Sequence, residues 1–333
     1  MSSSFSQSVV SWYDLHGRKN LPWQGGNPYH VWLSEIMLQQ TQVVKVLDYF
    51  QRFIKSIPNL KELAAADEQQ VMALWSGLGY YNRARNLHRT AQICVEQHQG
   101  ELPADLTALM ALPGIGRSTA AAILSLAYEQ AEPIMDGNVK RVFARHFLVA
   151  GEPNKSATLK RFWQLAEQHR ETARPAAYTQ GLMDLGATLC TKHKPQCDRC
   201  PVSNSCQALA SDVVAAYPQK KKPVRAREVE LHCLLFERGG QLALLQRTSK
   251  GIWASMWFLP TFDSQQALSE VTTSARKIFT LTHRLTHRLL QIHVYLANDW
   301  EVDEPVDWVS RQQLVKWPHP KALNHILEQH DNH

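Results

Sequence analysis

The sequence predicts a two-part chain, an all-helical unit over residues 1–216 followed by a small α+β domain over 229–333, and three observations predict it. Through the first part, apolar residues recur at spacings of three and four. Val31, Ile36, Met37 and Leu38 do so, as do Leu109, Leu112, Ile123, Leu124 and Leu126, which is the period of a helix with one face against a core. Pro58, Gly77, Gly79, Pro103, Pro113, Gly137 and Pro153 punctuate that pattern into what reads as eight to ten short helices. Residues 217–228 then break it. Pro218 to Arg227 reads PQKKKPVRAR, with two prolines, five basic residues and no apolar periodicity, a linker that suits either a solvated tether or a place near a polyanion. Beyond it the texture changes to strand-like runs at Val229–Phe236, Gln241–Gln246 and Leu289–Leu296. Gly239-Gly240 is placed to turn the first run into the second, and Pro320–Gln329 reads as a closing helix.

Composition narrows the classes of function. The chain has 333 residues, 44% of them hydrophobic, enough for more than one core, and a formal net charge of +6. A basic surface suits a phosphate-rich partner, because Lys and Arg displace the counterions of phosphates, but only motifs can make that specific. No apolar run approaches the roughly 20 residues that span a bilayer. The start, Met1-Ser-Ser-Ser-Phe5, lacks the basic and then apolar stretch of a secretory signal, so a cytoplasmic protein with no membrane partner is expected. Of six cysteines, Cys94 and Cys233 stand alone as small apolar residues, while four crowd into residues 190–206. Without a secretory signal, that crowding points to metal rather than disulfides.

Three local patterns carry chemistry. Leu112-Pro-Gly-Ile-Gly-Arg-Ser-Thr119 lies between two helical stretches. Gly114 and Gly116 let a phosphate approach the amides that open the next helix, and Arg117 adds charge. An ordinary helix–helix turn would use the same residues. Glu35 lies inside an apolar helical run, where loss of solvation raises a carboxyl pKa and holds a proton for donation; on a solvent face it would do nothing. Asp136 precedes a predicted helix, as a plain N-cap does, and helix-end amides there would keep it ionised. One carboxyl held protonated and one held ionised is a working pair for cleaving a glycosidic bond, with an acid for the leaving group and an anion for the oxocarbenium-like sugar. Cys190, Cys197, Cys200 and Cys206, with six, two and five residues between them, can hold one zinc or one cubane cluster.

Acid helix, hairpin with a downstream aspartate, and cysteine loop follow one another in that order. With Leu21-Pro-Trp23, Leu33-Ser-Glu-Ile-Met-Leu-Gln-Gln-Thr-Gln42, Gly77-Leu-Gly-Tyr-Tyr81, Asp136-Gly-Asn-Val-Lys-Arg141 and Met183-Asp-Leu-Gly-Ala187, the chain resembles the helix–hairpin–helix DNA glycosylases of the endonuclease III superfamily. Within that superfamily it is most similar to the MutY-type adenine DNA glycosylases. The resemblance implies an all-α helix–hairpin–helix core, with a six-helix barrel over about residues 25–130, a domain holding one [4Fe-4S] cluster on the four cysteines of loop 190–206, and a C-terminal Nudix-like domain at 229–333 that reads the lesion. The acidic Nudix box is absent, so nucleotide pyrophosphohydrolase activity is not expected.

The resemblance also implies roles. Glu35 would protonate the adenine and later activate water, and Asp136 would stabilise the sugar cation. Gly114, Gly116, Arg117, Ser118 and Lys140 would meet the DNA backbone. Leu38, Gln40 and Tyr80 would wedge into the base stack, of which Tyr80, next to Gly77 and Gly79, reads as exposed. Trp23 and Gln180 would line the adenine pocket. Leu285, Thr286 and His287 match a lesion-reading Phe-Ser-His loop with Leu for Phe and Thr for Ser. The implied partner is double-stranded DNA carrying adenine opposite 8-oxoguanine or guanine, and the implied state is a monomer. Glycosylase/lyase relatives place a lysine where this hairpin has Ser118, so base removal without efficient strand cutting is expected. Two alternatives remain open at this point: a bifunctional pyrimidine-lesion glycosylase/lyase, and a non-catalytic DNA-binding iron–sulfur protein.

Overall fold

The computed structural model describes residues 4–219, 226–285, 287–300 and 306–332. The chain divides into two compact units, one of Met1–Ala65 with Asn86–Lys222 and one of Ala66–Arg85 with Pro223–His333. No helix among the described residues is long and apolar enough to cross a membrane.

The first unit is helical. Helix Phe5–His16 opens on a capping box in which Ser4 and Gln7 satisfy each other's backbone amides. Its Phe5, Val9 and Val10 enter a core with Val139, Phe143, Phe162, Leu182, Leu189 and Val202, so the N-terminus is packed among the later helices. Helix Pro28–Leu38 starts where the Asn27 side chain accepts from the His30 amide and proline occupies the first turn. It buries Tyr29, Val31, Trp32, Leu33, Ser34, Ile36 and Met37, nearly its whole circumference, as a central helix must. Each large apolar side chain buried there stabilises the fold by roughly 1.5–3 kcal/mol. Helices Leu106–Ala111 and Arg117–Tyr128 flank a tight turn. Gly114 in that turn has φ +77°, and a side chain there would also strike Asn86. Through residue 216 the described chain forms twelve α-helices where eight to ten were expected. The surplus are pieces such as Leu60–Ala65, Leu106–Ala111 and Gln207–Ala210, too short to show a helical period.

The second unit contains helix Glu68–Trp75 and eight strands: β1 Arg227–Leu235, β2 Glu237–Arg238, β3 Gln241–Gln246, β4 Trp257–Phe258, β5 Thr261–Phe262, β6 Arg276–Arg284, β7 Arg288–Leu296 and β8 Asp307–Ser310. One sheet has the order β5-β1-β7-β6, with β1 and β7 parallel; the other joins β2, β3 and β4, with β8 on β3. Cys233, Leu244, Phe258, Ile292 and Val294 form its core with Leu323 and Ile326 of the closing helix Lys321–Asp331. Gly239 and Gly240, both at positive φ, form a hairpin turn, but it joins the short β2 to β3, while the run expected to precede it, β1, lies in the other sheet. Arg227 and Glu228, assigned from sequence to the linker, are paired in β1 with Arg288 and Leu289; residues 220–225 of that linker lie outside the described residues.

Candidate active site

Asp136 caps helix Gly137–His146. One carboxylate oxygen accepts from the Val139 amide at 2.7 Å and the other from the Asn138 side chain at 3.2 Å. Asn138 in turn accepts from Arg141 at 2.8 Å, so a cation backs the cap. Burial raises the Asp136 pKa, opposed by those amides and by Arg141. The expectation that helix-end amides alone would hold it low therefore fails on desolvation, which outweighs them here.

Glu35 keeps a partly accessible side chain while the volume around it is filled with protein. Burial, and then the charge on Asp136, push its pKa up to about 8. Because the Asp136 charge is part of that rise, Asp136 ionises first and Glu35 holds its proton at neutral pH. Electrostatics thus couples two residues 101 positions apart in sequence (136 minus 35) in the protonation states that glycosidic cleavage requires.

Their neighbours tie the elements together. Ser118 accepts from the Met135 amide at 3.1 Å, one residue before Asp136, so a side chain at 118 reaches the segment that leads into the Gly137–His146 helix. Gln39 donates to Thr119 at 3.5 Å, joining the end of the Glu35 helix to the hairpin helix. Gly116 caps that helix with no side chain over its first amides. Arg117, by contrast, pairs with Glu167 at 2.9 Å and stacks over Trp163 at 4.0 Å, and Lys140 donates to Asn154 at 2.8 Å.

Trp23 and Gln180, both buried, line one cavity of about 480 Å³ with Gln24, Val31, Leu126 and Ala177. Val31 stands one helical turn before Glu35 and on the same face, although neither carboxylate is among the lining residues. Gln180 is aimed by Asp184, which accepts its amide at 2.8 Å and is itself fully buried against Arg18, whose side chain approaches to 2.6 Å. Sequence reasoning missed Arg18, Asp184 and Asn138. Only Asn138 carried a signal, since it follows the aspartate by two residues.

Gln40 and Tyr80 both adopt left-handed backbone, at φ +59° and +52°, which is unusual for residues with side chains. Gln40 is exposed, Leu38 is half-buried at the end of its helix, and Tyr80 is 46% exposed, as its setting suggested. Within the second unit, Tyr80 and Leu285 line one cavity of about 350 Å³ with Gly79, Trp253, His283 and Lys321. Leu285 begins the β6–β7 turn, its amide donating to Arg288 at 2.8 Å, and His287 is exposed at the same tip. Thr286 lies outside the described residues.

Cys190, Cys197, Cys200 and Cys206 line a single recess floored by Leu189, Leu209 and Val214. Burial first, and the neighbouring thiols with it, push Cys200 up to about 11 and raise Cys197 and Cys206. A bound cationic group would relieve that crowding of thiolates. Buried Arg145 braces the loop, donating to the carbonyls of Tyr217 at 2.9 Å and Thr191 at 2.7 Å and to the Cys190 sulfur at 3.4 Å. Nothing in the sequence around Arg145 announces that role.

Comparison with known proteins agrees with this arrangement. Residues 33–168 match the model of the HhH-GPD superfamily of base excision DNA repair proteins, and residues 232–329 match a NUDIX domain. The adenine DNA glycosylase of Buchnera aphidicola subsp. Schizaphis graminum is 37% identical over 303 residues, 88% of this chain and 87% of that protein. The chain belongs to the adenine DNA glycosylase family. The adenine DNA glycosylase of Homo sapiens is 33% identical over 88% of this chain and 66% of its own length. A thermostable thymine-DNA glycosylase is 26% identical with a TM-score of 0.56, covering 62% of this chain and 95% of its own. An endonuclease III–DNA complex, at 21% identity and a TM-score of 0.53, shares the fold over 62% of this chain and 94% of its own. The enzyme is thus a base-excision hydrolase of N-glycosyl bonds, with a helix–hairpin–helix core followed by a Nudix-like domain. The non-catalytic alternative falls with that finding.

Proposed function

We propose that this glycosylase removes adenine mispaired with 8-oxoguanine or guanine from double-stranded DNA, as a cytosolic monomer, and leaves an abasic site. The observation that carries the reading is the coupled pair, Glu35 raised to about 8 beside an Asp136 that ionises before it. The flipped adenine would enter against Trp23 and Gln180. Glu35 gives its proton to N7 as the C1′–N9 bond breaks and the bonding electrons leave with the base. Ionised Asp136 faces the sugar cation. Glu35, now a carboxylate, then takes a proton from the water that attacks C1′.

Leu38, Gln40 and Tyr80 would fill or flank the space the base vacates, in line with the left-handed backbone that lifts two of them out. Gly114, Gly116 and Ser118 would present hairpin amides to a phosphate, while Arg117 and Lys140 must first exchange Glu167 and Asn154 for it. Leu285, Thr286 and His287 would meet the base opposite.

The four cysteines fit a [4Fe-4S] cluster better than zinc. With six, two and five residues between them, Cys190, Cys197, Cys200 and Cys206 lack the paired close spacing of a zinc ribbon, and all four line one recess. When bound, such a cluster ties the loop from Cys190 to Cys206 into one body, and Arg145 holds that loop to the helix after Asp136. Duplexes holding adenine opposite each base, incubated with the enzyme and then cleaved at abasic sites with alkali, test the proposal. Strand scission is expected for adenine opposite 8-oxoguanine and guanine, and its absence for both overturns the reading.

A further inference from the structure

The outer face of the four-stranded sheet carries a cluster that base excision does not use. β1 and β7 run parallel with His232 opposite His293 and Glu230 opposite Gln291. Side chains alternate across a strand, so Glu230, His232 and His293 share one face while Cys233, Ile292 and Val294 fill the core on the other. The two imidazoles stand 4.9 Å apart between ring centres. One ring nitrogen of each and one Glu230 oxygen all lie within 4.8 Å of one another.

The surroundings aim these donors. His232 Nδ1 meets the Tyr295 hydroxyl at 3.2 Å, and His293 Nδ1 meets the hydroxyl of Thr280, its cross-strand partner on β6, at 3.0 Å. A partner on the other ring nitrogen holds the orientation of a metal-binding histidine, and a hydroxyl can accept the N–H there. Among the described residues, neither Nε2 and neither oxygen of Glu230 has a hydrogen bond or ion pair.

We propose that Glu230, His232 and His293 form a binding site for a zinc-class divalent ion, with two imidazole nitrogens and one carboxylate oxygen as ligands and a fourth position for water. Two imidazoles and a carboxylate are a donor set that zinc accepts and that the harder magnesium and calcium ions do not favour. Ligands at about 2.0–2.2 Å from a tetrahedral ion stand about 3.4 Å apart. From within 4.8 Å of one another, the three ligand atoms close to that distance by side-chain rotation. The bound ion would clamp β1 to β7, the strand that leaves the turn carrying Leu285.

Dialysis of the full-length, cluster-bearing protein against micromolar zinc, followed by elemental analysis, tests the site. One zinc per chain is expected above the iron of the cluster. Glu230→Gln and His293→Ala, both on the outer face, should reduce zinc affinity at least tenfold and leave iron unchanged. Thr280→Val should keep the stoichiometry and weaken affinity by about 10–100-fold. X-ray absorption at the zinc edge should show nitrogen and oxygen neighbours. Failure of the wild-type protein to retain zinc, equal retention by Glu230→Gln and His293→Ala, or a sulfur shell around the zinc would each overturn the assignment.

Discussion

The two units hold their functional residues in opposite ways. In the first, Glu35 and Asp136 are surrounded by protein and backed by fixed groups: the Val139 amide, Asn138 and Arg141 around one, the packed helix Pro28–Leu38 around the other. In the second, Tyr80 is 46% exposed and His287 is exposed at a hairpin tip. The contrast fits the tasks proposed for these residues. Shifting a carboxyl to about 8 requires desolvation and a fixed neighbouring charge, which only a packed interior supplies. Reaching a base opposite the excised one requires projection, which a turn supplies at the expense of rigidity.

The largest effect expected is at Glu35. Glu35→Gln should lower single-turnover adenine release by about 10²–10⁴-fold, the usual contribution of a positioned acid, with mispair binding retained. Wild-type release should fall as pH rises above about 8, where Glu35 loses its proton. Stability should move the other way in the variant. Between the ordinary 4.5 and about 8, the unfolded chain gives up a proton that the folded chain keeps, so this carboxyl's stabilising contribution is lost as pH rises. Glu35→Gln should therefore melt a few degrees above wild type at pH 8, with the difference closing toward pH 4.5. An inactive but stabilised variant would show that desolvation serves the chemistry; a destabilised one would move Glu35 to a packing role.

The cluster loop is expected to be next in sensitivity. Purified enzyme should hold about four irons per chain, as four thiolates on one cubane require. Arg145→Met should lower stability by about 1.5–3 kcal/mol for each charged hydrogen bond not replaced and should speed loss of iron. Unchanged iron retention on prolonged dialysis would reduce Arg145 to a bystander. A milder gain is expected at the hairpin. Ser118→Lys places an amine beside the Asp136 turn, where it can attack the sugar, so borohydride should trap a covalent DNA adduct that wild type gives only weakly. No gain in trapping would mean that the residue 118 side chain does not reach the sugar.

How much of this was legible depended on whether the cause was local. Glu35 in its apolar run, Asp136 before its helix, the four cysteines and Gly239-Gly240 each carry their reason within a few residues. Arg18 reaches Asp184 across 166 residues and Arg145 reaches Cys190 across 45, and no short window of sequence contains both ends. Strand β6, Arg276–Arg284, was not expected from sequence; no residue of it is buried, so its pairing with β7 rather than a local apolar run defines it. Net desolvation of Asp136 is of the same kind, since the amides that lower its pKa are local and the protein that raises it is not.

The smallest effect expected tests the exposed side of the comparison. Guanine and 8-oxoguanine differ by an oxygen at C8 and a hydrogen on N7, so telling them apart takes a donor or acceptor at that edge, about 1–3 kcal/mol for a good contact pair. Leu285 lines a cavity with Tyr80, and His287 stands beside it at the tip. Removing residues beyond Pro218 would be a blunt test, because Tyr81 donates to the His319 carbonyl at 3.0 Å and Arg85 to that of Ala254, and residues 66–85 would lose both partners. A Leu285→Ala/His287→Ala variant keeps those contacts. It should reduce the preference for 8-oxoguanine over guanine opposite adenine by roughly 5–150-fold, the ratio equivalent to 1–3 kcal/mol, and leave melting within about 0.5 kcal/mol of wild type, as for other exposed positions. Single-turnover rates on the two mispairs give the ratio directly. An unchanged ratio would assign lesion reading to a part of the chain other than this hairpin, and the contrast between a packed catalytic pair and a projecting reader would lose its second half.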